Sequence, residues 1–325
     1  MSKKGLLISA LCILGLTATL WVVEVSAQSP PTPPKGITVS PALQRITIKP
    51  EETQKTIEFK ITNNRTSAQT IKLSTNDFNS LNETGGLLFL GANPTQIQKK
   101  YGLSEWITLP QSEVTVSSKQ TVTIRAQITD ITSLPAGGHY GALMLALVTL
   151  GDDSSRDRIA LRPIASSLLF VIKQGGESYK LKLTNVSDNH SYLRLPNEVK
   201  LRFKNEGNTH LVPRGVVLLT DSGGKLVKKG VINEDSGILL PENARLYNVK
   251  LRSVAFASKP GKYSLTVDYR FEGFDGFRTY KNSFFVASPS ALVIILGFLL
   301  VIGLGYFGLR KIGINLLRLN VKKRR

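Results

Sequence analysis

The chain has 325 residues, a formal net charge of +19 and a single cysteine. That cysteine, Cys12, lies in an N-terminal apolar run, so once the run is removed no disulfide can form and the fold must rest on its hydrophobic cores. The basic excess is spread along the chain without aromatic interleaving, which argues against a nucleic-acid surface and leaves solubility, or attraction to anionic polymers and headgroups.

Residues 1–27 read as a signal peptide. Lys3 and Lys4 precede the apolar Gly5 to Val23, and Val25-Ser-Ala27 supplies small residues before a cleavage point; an uncleaved anchor is the alternative. Residues 28–35 form a Pro-rich, extended stub. The remaining exported portion, about 260 residues, suits two domains rather than one.

From residue 36 to 287 the dominant hydrophobic period is two. Ile57, Phe59 and Ile61 alternate with Glu58, Lys60 and Thr62, and Val122, Ile124, Ala126 and Ile128 repeat the pattern. Val199 to Lys204 and Tyr263 to Tyr269 do the same in the second half. The halves echo one another: Ile57-x-Phe59-x-Ile61-Thr-Asn63 matches Val199-x-Leu201-x-Phe203-Lys-Asn205, and Gly138-His-Tyr140 matches Gly261-Lys-Tyr263 at the start of a late strand. This order predicts an all-β fold of two tandem immunoglobulin-like β-sandwiches, with a tyrosine hydroxyl tying a corner in each. The predicted domains are 36–175 and 176–287, divided at Gln174-Gly-Gly176. The first carries an insertion at 78–108 with a short helix over Pro94 to Tyr101; it is either a binding surface or a flap over a sheet edge.

Candidate chemistry is sparse. His139, His190 and His210 have no partner at ligand spacing, so no metal is implied. Asp152, Asp153 and Asp157 sit among Arg156 and Arg158 as an exposed hairpin tip, not a calcium loop. No catalytic constellation is present, so the chain does not read as an enzyme and no cofactor is implied. The binding candidates are Trp106, a core or lid residue that could stack on a sugar, His139 and Tyr140 in the Gly-rich turn, and Asn208 and His210 in the Asn205 to Pro213 connection.

At the C-terminus, Ala291 to Leu309 would make an apolar helix of roughly 30 Å, enough to span a bilayer. The expected transmembrane helix is 289–309. Arg310, Lys311, Arg318, Lys322, Lys323, Arg324 and Arg325 form a basic tail, 310–325, that would stay cytoplasmic and orient the helix.

Gly36-Ile-Thr-Val-Ser-Pro41, Thr62-Asn-Asn64, Trp106-Ile-Thr-Leu109 before Val114-Thr-Val116, and Pro135-Ala-Gly-Gly-His-Tyr-Gly141 resemble the N-terminal domain of Gram-positive WxL-interacting cell-surface proteins, as does the overall plan. That resemblance implies peptidoglycan binding by the first domain and a protein partner for the second. A weaker likeness links the first domain to periplasmic pilus chaperones, with Arg158 to Pro163 and the apolar strand after it able to pair with a client strand. The expected function is therefore a single-pass envelope protein of the cytoplasmic membrane that holds lipid through its C-terminal helix and binds peptidoglycan, another wall polymer or a neighbouring surface protein. The alternative is a chaperone-like or structural protein that captures a partner strand on an open sheet edge.

Overall fold

The structure, a computed structural model, describes residues 36–90, 99–150, 159–188, 194–254, 260–287 and 289–322. The expected signal peptide and stub, most of the expected 94–101 helix, the Asp152 to Arg158 tip, His190 and the last three basic residues lie outside the described residues. Gly36–Arg325 forms one compact unit.

As the period of two requires, the described residues are mostly β-sheet. Ten strands come first: β1 (Ile37–Ser40), β2 (Leu43–Ile48), β3 (Lys55–Asn63), β4 (Gln69–Ser80), β5 (Leu87–Phe89), β6 (Ile107–Thr108), β7 (Glu113–Val116), β8 (Thr121–Ile128), β9 (Gly137–Leu150) and β10 (Ile159–Lys173). They build a sheet in the order β1-β3-β8-β6, facing a larger one in the order β2-β10-β9-β4 with β5 and β7 also on β4. Ile57, Phe59 and Ile61 on β3 meet Leu73, Leu145, Leu169 and Val171 of the facing sheet in a common core, while Glu58 and Lys60 stay in water. Each buried aliphatic or aromatic side chain contributes about 1.5–3 kcal/mol. The chain changes sheets at the cis Ser40–Pro41 bond: β1 runs antiparallel to β3, and β2 then runs parallel to β10.

Eight strands follow: β11 (Leu181–Ser187), β12 (Glu198–Asn205), β13 (Arg214–Asp221), β14 (Leu226–Ile232), β15 (Ala244–Lys250), β16 (Arg252–Ser253), β17 (Gly261–Arg270) and β18 (Arg278–Val286). Their sheets, β11-β12-β15 and β16-β14-β13-β17-β18, enclose a second core around Phe203, Val217, Leu219, Val249 and Leu265.

The echo between the halves has a physical basis in two buried asparagines. Asn63 ends β3; its Nδ2 donates to Ser67 O at 2.8 Å and Val116 O at 2.9 Å, and its Oδ1 accepts the Arg65 N–H at 2.9 Å. Asn205 ends β12 in the same way, donating to Thr209 O at 2.7 Å and Leu239 O at 3.1 Å and accepting the Gly207 N–H at 2.9 Å. Each side chain satisfies turn groups that would otherwise be buried unpaired.

The C-terminal helix differs from expectation. It is α1 (Pro289–Lys322), one continuous helix that runs on through Arg310, Lys311, Arg318 and Lys322, where a separate tail was expected. Among the described residues no helix is long and apolar enough to cross a membrane. The reading as a single-pass protein of the cytoplasmic membrane, with a lipid-embedded anchor at 289–309, is corrected accordingly.

Candidate functional site

Most of the residues singled out from sequence meet between the two sandwiches. Tyr140 and Phe170 point from the outer face of the larger first sheet, and with Phe78, Tyr101 and Leu240 they form a third apolar cluster to which both sandwiches contribute. Tyr140 lies 5.6 Å from Phe170 and 5.7 Å from His210, centroid to centroid and edge to face. Its hydroxyl faces His210 Nδ1 at 3.5 Å, so Tyr140 ties sandwich to sandwich and not a corner within its own. Burial pushes the Tyr140 hydroxyl well above the usual phenol range. Burial also pushes His210 down to about 4, and the nearby Arg45 guanidinium adds to that shift.

His139 is 2% exposed, which excludes it from a surface groove. Its Nδ1 lies 3.1 Å from Gly102 O and its Nε2 2.8 Å from Pro135 O. Burial lowers its pKa, and the two carbonyls act in the opposite direction. Trp106, partly buried, packs 6.1 Å from that ring and donates its indole N–H to Ser133 Oγ at 3.2 Å. Asn208 joins the halves through main chain and side chain: its carbonyl accepts the Gly138 N–H at 2.7 Å and its Nδ2 donates to Ala136 O at 3.4 Å, while its Oδ1 accepts the Ser178 N–H of its own sandwich at 2.6 Å. Gly138 permits this approach, since a Cβ there would lie 2.1 Å from Tyr140 Oη and 3.2 Å from Asn208 O. Tyr140, Asn208 and His210 therefore pack the seam, while Trp106 and His139 pack against each other within the first sandwich.

The insertion at 78–108 neither reaches outward nor simply covers an edge of its own sandwich. It docks on the second one. Glu83 receives the Arg202 guanidinium, with Nε at 2.8 Å from Oε2 and 3.0 Å from Oε1, and its carbonyl accepts the Leu246 N–H at 2.8 Å. Lys100 Nζ and the Tyr101 hydroxyl both donate to Glu242 Oε1, at 2.9 and 2.8 Å. These pairs hold the carboxyls of Glu83 and Glu242 below the usual range.

Beside the seam lies a cleft of about 190 Å³, lined by Arg45 and Thr47 of β2, Phe170 and Ile172 of β10, and Tyr179, His210 and Glu272 of the second sandwich. Next to it, β10 is open along part of its length. β10 pairs with β9 along its length apart from a bulge between Pro163 and Ala165, but on its other side only Leu168 to Lys173 pair, with β2; from Ile159 to Ser167 no strand pairs there among the described residues, although β1 passes close to β10 and Ser167 Oγ donates to Pro41 O at 2.6 Å. The Leu168 N–H donates to Ala42 O at 2.9 Å on that side, so alternation directs the Ser166 N–H and C=O to the same, open edge. A run of unpaired main-chain donors and acceptors is a template for another strand. Among the described residues no three His, Asp or Glu side chains converge as a metal site requires.

Sequence reasoning missed Arg45, Glu83, Arg202 and Glu242. None sits in a motif; only Asn82-Glu-Thr-Gly-Gly86, a polar turn in the insertion, marked the neighbourhood of Glu83.

The fold and site define a tandem β-sandwich protein with an open strand edge beside an inter-sandwich cleft. No protein-family model matches the sequence, and no curated protein matches it. Among solved structures the chain is similar to the class 5 fimbriae chaperone CfaA, at 11% identity over 78% of this chain and 99% of that one, with a TM-score of 0.41. It is also similar to the E. coli chaperone DraB, at 11% identity over 76% and 95% with a TM-score of 0.34. A third is the CsuC-CsuE chaperone-tip adhesion subunit pre-assembly complex of Acinetobacter baumannii, at 10% identity over 75% and 97%, with a TM-score of 0.34. The resemblance to WxL-interacting cell-surface proteins is not upheld: no family model matches, and among the described residues no helix is long and apolar enough to be the expected membrane span. The motifs behind it, an Asn turn and a Gly-rich strand start, are structural devices of β-sandwiches at large.

Proposed function

We propose that this protein is chaperone-like: it binds a surface-protein subunit by letting a client strand add to the open edge of β10. The observation that carries the reading is the outer edge Ile159 to Ser167, which no strand pairs among the described residues and which continues into a stretch that the chain's own β2 already completes in parallel. Strand addition gains main-chain hydrogen bonds from any extended client, and pockets beside the edge supply selectivity. Arg45, opposite Phe170 and so about 10 Å along the strand from Ser167, offers a cation in the cleft for an acidic group of the client.

Ser166→Pro tests this directly, because proline deletes an N–H that faces the open edge and leaves the β9 ladder intact. Co-purification with a subunit expressed beside the full chain should fall at least tenfold while the melting temperature stays within about 2 °C, a change of no more than about 1 kcal/mol for a chain of this size. Unchanged capture by the folded variant would reject the β10 edge as the site.

A further inference from the structure

The second sandwich has an open side of its own. β15 ends the three-stranded sheet, and Leu251 carries the chain across to β16, which pairs with β14 of the other sheet. β14 and β15 therefore touch at one end, where a Cβ on Gly230 would lie 2.6 Å from Val249 Cγ1 and 2.7 Å from Lys250 O. Toward their other ends they part, leaving a wedge of about 350 Å³ lined by Thr84, Val231, Leu246, Asn248, Glu234 and Asp235.

Three features of this wedge point to a ligand. The outer edge of β15 already gives one main-chain hydrogen bond outside its sheet, since the Leu246 N–H donates to the turn carbonyl Glu83 O at 2.8 Å; alternation places the Asn248 N–H and C=O on the same edge, further into the wedge. Val231 and Leu246, 45% and 40% exposed, leave apolar surface uncovered on either side. Glu234 and Asp235, both exposed, make no ion pair among the described residues, an acidic pair in a chain of net charge +19. The lining also holds Arg245, whose Nη1 donates to Ile238 O at 2.8 Å, and Lys250, so the unpaired negative charge is confined to the Glu234–Asp235 turn.

The geometry points to the β15 edge as a second docking site, taking an extended segment of a partner protein with apolar side chains along the wedge and a basic residue at Glu234 and Asp235. Opposite charge selects the segment and sets its register, main-chain bonds to Asn248 hold it, and Val231 and Leu246 are covered. The site shares no residue with β10 and stands whether or not β10 captures a client.

Fluorescence anisotropy on the full chain tests it with the labelled peptide Lys-Val-Thr-Val-Thr-Val-Lys as probe and Glu-Val-Thr-Val-Thr-Val-Glu as its charge-reversed counterpart. The basic probe should bind saturably, and the acidic one at least tenfold more weakly despite the positive charge of the chain. Glu234→Lys combined with Asp235→Lys, both on an exposed turn, and separately Asn248→Pro, which removes an N–H that the ladder to β12 does not use, should each weaken the basic probe at least tenfold. Should Asn248→Pro unfold the protein, the charge-reversed turn still decides. No saturable binding up to millimolar probe, equal binding of the two peptides, or binding unmoved by the turn variant would overturn the assignment.

Discussion

At the scale of single residues, the buried asparagines and histidines set how the protein responds to mutation and pH. Asn63→Ala removes the side-chain partner of the Arg65 N–H and of the Ser67 and Val116 carbonyls, and Asn205→Ala removes that of the Gly207 N–H and the Thr209 carbonyl and one of two donors to Leu239 O, which keeps the Leu211 N–H. Each should cost about 1–3 kcal/mol in urea denaturation, against less than about 0.5 kcal/mol for an exposed control such as Asn248→Ala. His210 titrates near 4 when folded and near 6.5 when unfolded. The unfolded chain therefore binds the extra proton between those values, so stability falls as pH drops from about 6.5 to 4 and the loss is complete below the folded value. Melting temperature followed across that range should decline less steeply in His210→Gln than in the unmodified protein. An identical slope would mean that His210 is not buried in its neutral form. Asn63 and Asn205 were legible in the sequence because a strand pattern ending in asparagine signals a turn by local means. That His139 and His210 are buried was not, since nothing near them in sequence says what packs on them.

At the scale of elements, β10 and the insertion carry the consequences. The strand pattern of residues 166–173 was readable from its apolar run, yet whether a strand is paired on one side or two depends on partners more than a hundred residues away, here Leu43 to Ile48. The openness of Ile159 to Ser167 follows from that distant pairing stopping at Leu168. The insertion offered polar turns and one tryptophan, and its contact with β12 and β15 had no local signal, because Glu83 looks like any exposed glutamate until Arg202 lies opposite. A double-mutant cycle of Glu83→Gln and Arg202→Gln should show coupling at low ionic strength that fades at 1 M salt, where the Debye length is about 3 Å. Additive effects at low salt would show that the pair does not hold the insertion in place.

At the scale of the whole molecule, the seam makes one compact unit of two sandwiches. Its aromatic cluster, the Asn208 bridge and the insertion contacts all cross between them, so both sandwiches should unfold in a single transition. Gly138→Ala would force Tyr140 Oη and Asn208 O apart. We expect at least about 1–3 kcal/mol of destabilisation from the overpacking, with the calorimetric transition splitting in two as the sandwiches uncouple. A single sharp transition at unchanged temperature would show that the seam adjusts without loss. The same rigidity holds the cleft with Arg45 at a constant distance from the β10 edge, which a client bound to both requires.

By itself the sequence determined the strands, the two cores and the matched asparagine turns, because side-chain alternation and turn chemistry act over a few residues and are written along the chain. Only the tertiary structure decided that Tyr140, Asn208 and His210 fill a seam, that His139 is buried within the first sandwich, that the insertion clasps the second sandwich, and that β10 and β15 keep edges unpaired by any strand among the described residues. Those outcomes depend on which strand lies beside which, and hydrogen bonds between segments far apart in the chain leave no periodic trace in either one. The apolar C-terminal run shows the same limit: its composition predicted a helix, and the fold carried that helix on through the basic residues expected to end it.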